Sequence, residues 1–255
     1  MANATTTMLL HEHESSRQYS VRDFLRIART QPAATVGGCD LYYIPSRSSC
    51  YHEFLLVHIH VDRETLMVTI ERSPSNNGMQ VISSNGGVAR DTITVVRARE
   101  NHEYWQRVGQ DPVLRGTLRW DRSPPHPFNI TFFASAASTT FKHYNLYVRQ
   151  CYWYARVTLA AMERAFPPCS REGTTSFSRR WFSMFGSYKP SQVQLLVDLH
   201  TIACQGLPIC RPPTSCDPHH GSRTTCDCLR HTTHSPWSFH AYSQLPEASV
   251  TFGVA

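Results

Sequence analysis

Several things are missing from this chain, and each absence narrows what it can be. No apolar run approaches the roughly 20 residues that a helix needs to span a bilayer, so no transmembrane segment is expected. There is no block of about five or six like charges, and so no clustered basic stripe of the kind that marks a nucleic-acid surface. The positive residues are instead scattered, as at Arg17, Arg22, Arg26 and Arg29 and again at Arg97, Arg99, Arg107, Arg115 and Arg119. No specific nucleic-acid partner is expected. The opening MANATTTMLLHEHESS has no basic n-region and only Met8-Leu9-Leu10 as an apolar patch, which does not read as a secretory leader. No internal repeat is visible.

What remains suits a soluble globular domain. The 255 residues are 41% hydrophobic and 17% charged, enough to bury one sizeable core with tails. Twenty-five basic residues, almost all arginine, against 19 acidic ones leave a formal charge of +6. Nine cysteines is an odd number, and their scatter reads as mainly reduced thiols in a cytoplasmic protein.

Three regions are expected: a disordered tail over 1–18, an α+β domain over 19–204, and a disordered tail over 205–255 rich in Cys, His and Pro. Within the domain, Ser20-Val-Arg-Asp23 opens a short amphipathic helix that ends before Pro32. Strands are expected over 51–61, 66–72, 91–97, 115–120 and 129–134, the first two forming an antiparallel hairpin. A short helix fits 100–108. Another fits 191–203, with Ser191 as N-cap and Val193, Leu196, Val197 and His200 as its inner stripe. An aromatic segment, Trp181 to Phe185, lies between. The architecture is a small antiparallel sheet with flanking helices.

The chain is organised around Tyr144-Asn-Leu-Tyr-Val-Arg-Gln-Cys151-Tyr-Trp-Tyr-Ala-Arg. From Cys151 to Phe166 the pattern predicts a largely buried helix, stopped by Pro167-Pro168. A thiol in the first turn of a helix meets free amide groups and the positive end of the helix dipole, which favour an anion. A cysteine nucleophile also needs a base, and the candidate is His52 in the strand Tyr51-His-Glu-Phe-Leu-Leu-Val57. Strand alternation puts His52, Phe54, Leu56, His58 and His60 on one face and Glu53, Leu55, Val57 and Ile59 on the other. Against this stands the plainer alternative that a cysteine on an apolar helix is packing.

A histidine heading a strand, followed about a hundred residues later by a Tyr-x-Leu approach and a Cys opening a helix, resembles the circularly permuted papain-like thiol hydrolases and acyltransferases. The lecithin:retinol acyltransferase-like pattern reads Asn-Cys-Glu-His-Phe after its Tyr-x-Leu lead. Here Tyr144-Asn-Leu146 is followed by Gln150-Cys151-Tyr152-Trp153-Tyr154, with Gln in place of Asn and Tyr-Trp in place of Glu-His. The chain is still more similar to an uncharacterised fungal family with a His-Glu-Phe strand and a Cys-Tyr-Trp-Phe-Ala-like helix start. The likeness covers residues 19–204. It implies Cys151 as nucleophile, His52 as base, helix-start amides as oxyanion site and no cofactor. The substrate would be an acyl or amide compound, protein or lipid. The third catalytic residue does not transfer, and Glu71 and His60 are the candidates.

Other constellations point elsewhere. His58-Ile-His60 places two imidazoles side by side as in some metal sites, with Asp62 or Glu71 needed as a third ligand. The tail carries Cys204, Cys210, Cys216, His219, His220, Cys226, Cys228, His231 and His234, without the paired Cys-x2-Cys spacing of zinc modules. No metal site is assigned to either. A non-catalytic protein-interaction domain on the same scaffold is the alternative to the enzyme.

Overall fold

In the computed structural model the described residues are 9–10, 14–45, 52–75, 87–107, 111–121, 123–144, 150–173, 188–205 and 207. The expected aromatic segment at Trp181 to Phe185 and the tail beyond residue 207 lie outside them, as do all residues of a second unit, Ser215–Ala255.

The core is one antiparallel sheet. Its strands are β1 (Ser16–Ser20), β2 (Thr35–Ile44), β3 (His52–Val61), β4 (Glu64–Pro74), β5 (Gly87–Arg97), β6 (Val113–Arg119) and β8 (Ser170–Gly173), in the order β1-β5-β4-β3-β2-β6-β8. The two-residue β7 (His143–Tyr144) pairs with the start of β5. Among the described residues five α-helices accompany the strands: α1 (Val21–Arg29), α2 (Asn101–Arg107), α3 (Pro127–Thr140), α4 (Cys151–Ala165) and α5 (Pro190–Ala203). The fold class is α+β, as the element pattern predicts.

Strand alternation divides the sheet between two environments. Leu55, Val57 and Ile59 of β3 and Leu66, Val68 and Ile70 of β4 join the main core with α1, α3, α4 and α5. Phe54, Leu56, Met67 and Ile44 point the other way and form a second, smaller cluster with Tyr42 and Trp105, the latter on α2. The expected hairpin is present, with Leu55 opposite Ile70 and Val61 opposite Glu64.

Local signals account for the helix ends. Ser20 caps α1, its Oγ accepting from the Asp23 backbone N–H at 3.1 Å. Pro167-Pro168 follows the α4 C-cap Phe166, as expected. Val193, Leu196 and His200 are buried on α5. The cap of α5 is Lys189 rather than Ser191, because Pro190 takes the first helical position, where its fixed φ suits the helix.

Three further points need correction. Residues 129–134 are helical, not a strand. Pro127 opens α3 and His126 caps it, with Nδ1 accepting from the Phe128 N–H at 3.1 Å. Almost every side of this helix is buried, so it shows no polar stripe by which a helical period can be read. Residues 1–18 are not all tail. Leu9 and Leu10 are buried, the Tyr19 hydroxyl donates to the Leu9 carbonyl at 2.7 Å, and residues from Ser16 onward pair with β5 as an edge strand. The domain therefore begins before residue 19. Finally, β2 was not expected at all, yet it lies between β3 and β6. Its Gly37-Gly38 weakens the strand signal for a spatial reason: a Cβ at Gly37 would meet His60 Nε2 at 2.3 Å, and one at Gly38 would meet Arg119 Nη1 at 2.1 Å. The glycines leave room for these two side chains to lie across the strand.

Among the described cysteines, Cys39, Cys151 and Cys169 are free thiols and Cys204 is disulfide-bonded. No helix among the described residues is long and apolar enough to cross a membrane.

His200 supplies a test of the core. It is enclosed by the rings of Phe132, Phe133 and Phe166, with Nε2 donating to Asn129 Oδ1 at 2.9 Å and Cys204 Sγ beside it at 3.2 Å. Burial pulls its pKa down to about 4. Between an unfolded value of roughly 6.5 and this lower one, only the unfolded chain takes the proton, so stability is full above the window and falls as pH drops through it. Urea unfolding is expected to show a loss on the order of 2–3 kcal/mol from this group between about pH 7.5 and about pH 4.5. His200→Gln, which keeps an N–H toward Asn129, should shrink that pH dependence. An undiminished loss in the variant would assign the acid sensitivity to other groups.

Candidate active site

Cys151 is the first residue of α4, which packs across β3 and β4 on the main-core face. His52 is the first residue of β3. The start of the helix and the start of the strand meet, and the His52 imidazole lies within hydrogen-bonding reach of the Cys151 thiol. On its other side, His52 Nε2 is 2.9 Å from Glu71 Oε2. One imidazole thus bridges a thiol and a carboxylate.

Burial disfavours the charged form of His52, but the Cys151 thiol and then the Glu71 carboxylate reverse this and raise its pKa to about 10. Glu71 is itself steadied by Thr92, whose Oγ1 donates to Oε1 at 3.4 Å. Nearby, the Tyr104 hydroxyl has its pKa raised by burial and by the Glu71 charge, and it hydrogen-bonds to Thr94.

The residues next to these in the chain hold the arrangement in place. Glu53, adjacent to His52, points to the opposite face and takes two 2.7 Å bonds from Arg156 of α4. Burial nonetheless pushes the Glu53 carboxyl up, and Arg156 offsets only part of that. Arg72, adjacent to Glu71, is wholly buried. It donates to both Asp91 oxygens at 2.7 and 2.8 Å and to the Phe141 carbonyl at 3.0 Å. Its guanidinium also faces the Tyr154 ring at 4.6 Å and the Trp153 ring at 5.6 Å. Those rings follow Cys151 by two and three residues, so the helix turn that carries the thiol is fixed to β3 and β4.

Compared with family models, curated proteins and solved structures, the chain matches none. Its own geometry has to carry the reading of the site.

The pairing of Cys151 with His52 is the one the sequence suggested, and of the two third-residue candidates it is Glu71 that contacts His52. His60 lies elsewhere, with Nδ1 3.0 Å from Thr65 Oγ1. His58 and His60 do share a face but take separate partners, since His58 Nε2 binds Asp40 Oδ2 at 2.7 Å. Among the described residues no three His, Cys, Asp or Glu side chains are grouped to hold a metal ion. What the sequence did not indicate is the pair of locks. Glu53 and Arg156 stand 103 positions apart, with no pattern joining them before the chain folds.

A cavity of about 360 Å³ opens on the α2 side of the sheet, lined by Tyr42, Phe54, Leu56, Ala98, Trp105 and Pro112 among others. Phe54 connects it with the site, since its ring also stacks on His52 with centroids 6.1 Å apart.

The Glu53–Arg156 lock can be tested by a double-mutant cycle. Arg156→Met leaves a buried carboxylate without its partner and should cost about 3–5 kcal/mol in urea unfolding. Adding Glu53→Met should recover most of that loss. If the single and double variants are equally destabilised, packing rather than the ion pair holds α4 here.

Proposed function

We propose that the chain is a cysteine-dependent hydrolase or acyltransferase acting on an amide or acyl ester bond through a thioester, on a permuted papain-like scaffold. One observation carries this reading: a single imidazole, His52, set between the Cys151 thiol and the Glu71 carboxylate. This is the arrangement of nucleophile, base and orienting group that thiol catalysis needs.

In the reaction, with the thiol proton held on His52, the sulfur attacks the substrate carbonyl carbon. A C–S bond forms and the carbonyl electron pair moves onto oxygen. Collapse of this intermediate restores the C=O bond and expels the amine or alcohol, which takes the proton from His52. Water then releases the acyl group as an acid, or an acceptor amine or alcohol carries it away. Glu71 keeps the ring turned toward the sulfur and offsets the positive charge it gains. No cofactor takes part in these steps. The cavity beside Phe54, lined by both aromatic side chains and polar ones such as Asn101, Gln106 and Asp111, offers a place for part of an acyl or amide substrate, protein or lipid.

A non-catalytic protein-interaction domain is the competing reading, and it draws on one fact: Cys151 is only 4% exposed. Buried cysteines are commonly packing residues.

The alkylation rate of Cys151 by iodoacetamide, followed against pH with peptide mapping to separate the other cysteines, decides between them. With the His52 imidazole beside the sulfur, fast labelling should already be present near pH 6 and should hold through neutrality. His52→Ala should remove it, by about 10²-fold or more, and Glu71→Gln should slow it to a smaller extent. Labelling that is slow at every pH and indifferent to His52→Ala would make Cys151 a packing residue and the chain an interaction domain.

A further inference from the structure

The cavity on the outer face of the sheet has a charge pattern that the thiol chemistry does not explain. Tyr42 of β2 and Phe54 of β3 are direct cross-strand partners, so both rings stand on that face, stacked 5.8 Å apart. Trp105 of α2 closes over Phe54 at 5.1 Å. Its indole N–H donates to Asn101 Oδ1 at 3.1 Å, one helical turn earlier, which fixes the ring and leaves no indole donor for a ligand. Asp111, two residues before β6, adds a carboxylate to this aromatic wall. Among the described residues no arginine or lysine lines the cavity, and none pairs with Asp111. The imidazole in the lining, His102, accepts from Gln106 Nε2 at 2.9 Å, a bond made by the neutral ring. Gln106 keeps its side-chain carbonyl as a further acceptor.

The lining is thus negative in a chain whose formal charge is +6. An anionic ligand would meet a carboxylate with no counter-charge, and a purely apolar one would strip water from Asp111 and replace it with nothing. A cation suits both parts of the wall, because aromatic rings attract it and the carboxylate balances its charge. Resting on the thiol-enzyme reading, we infer that this cavity receives an organic cation of the substrate, an alkylammonium group carried a short way from the carbonyl that Cys151 attacks. Phe54 sets the separation, since its ring lies 6.1 Å from that of His52 and 5.1 Å from that of Trp105. The cation and the carbonyl therefore stand roughly 10 Å apart, the span of about three extended residues or of an equivalent alkyl chain.

Two measurements on the full-length chain test this. In the first, hexyltrimethylammonium and hexylammonium are titrated into the protein by calorimetry. The tighter of the two tells a quaternary headgroup from a primary amine as the preferred cation, and Asp111→Asn should weaken its binding by about 10-fold. Failure of both to bind, or equal binding by the parent and Asp111→Asn, overturns the proposal. In the second, Cys151 is acylated by the p-nitrophenyl ester of 6-(trimethylammonio)hexanoic acid and by that of 7,7-dimethyloctanoic acid, which has the same shape without the charge. In each case the sulfur bonds to the acyl carbon, p-nitrophenolate leaves with the electron pair of the broken C–O bond, and the thiol proton stays on His52. The cationic ester should react about 10-fold faster, and Asp111→Asn should bring the ratio of the two rates toward one. A ratio that Asp111→Asn leaves unchanged overturns the proposal. Acylation by neither ester, with alkylation of Cys151 that ignores His52→Ala, overturns the enzyme reading instead. That failure is distinct, because the calorimetric result involves no thiol chemistry and decides by itself whether the cavity holds a cation.

Discussion

Arg72 is a full positive charge with no exposure to solvent, and the structure around the site follows from the need to satisfy it. A buried guanidinium is tolerable only when its charge is matched and its donors are used. Asp91, its direct cross-strand neighbour, supplies the charge and two acceptors. The Phe141 carbonyl at the end of α3 takes a third bond. The rings of Trp153 and Tyr154 cover the guanidinium from α4. Two strands and two helices are thereby tied to a single side chain. Tyr154 and Trp153 pass the constraint on, the first donating to the Ala134 carbonyl of α3 and the second to Gln192 of α5.

The two-residue period of a strand converts this lock into a site. Arg72 faces the helices, so Glu71 must face the other way; Glu53 faces Arg156, so His52 must too. Each lock residue thus carries a candidate catalytic residue as its chain neighbour. The thiol then reaches the imidazole because α4 begins where β3 begins, at the end of the sheet. A second polar group is built on the same face by the same alternation. Asp40 takes bonds from His58 at 2.7 Å and from Thr117 and Arg119 at 2.8 Å. Burial alone would raise its pKa, but these bonds more than reverse that and hold it below its usual value. Tyr42, Phe54 and Trp105 separate this cluster from the Cys151 end with stacked rings. The outer face of the sheet is therefore a sequence of distinct polar and aromatic zones, and among the described residues only the one at His52 includes a thiol.

Much of the fold was legible where a segment has one buried and one contrasting face. The β3–β4 hairpin, the cap at Ser20, the α4 helix with its double-proline stop and the inner stripe of α5 all carry such contrast. The failures occurred where that contrast is absent. α3 is apolar nearly all round, so its Ile, Thr and Phe content imitates a strand. β2 contains two glycines and a buried aspartate, features that read as a loop until His60 and Arg119 are seen to lie across it. The first residues look like a polar tail because the partners of Leu9, Leu10 and β1 are far along the chain.

For the site, the residue types and their local frames were written in the chain: a thiol at a helix start, an imidazole at a strand start, and a carboxylate on the matching face of the paired strand. Local geometry is short-range, and spacing alone expresses it. Which side chain would contact the imidazole was not decided there, since Glu71 and His60 were equally eligible by face. The tertiary structure chose Glu71, because the antiparallel register sets it diagonally across from His52 while His60 falls toward the far end of β3, next to Thr65. The locks through Arg72 and Arg156 likewise belong only to the folded state, because a buried charge selects its partner through three-dimensional packing and leaves no period in the sequence to read.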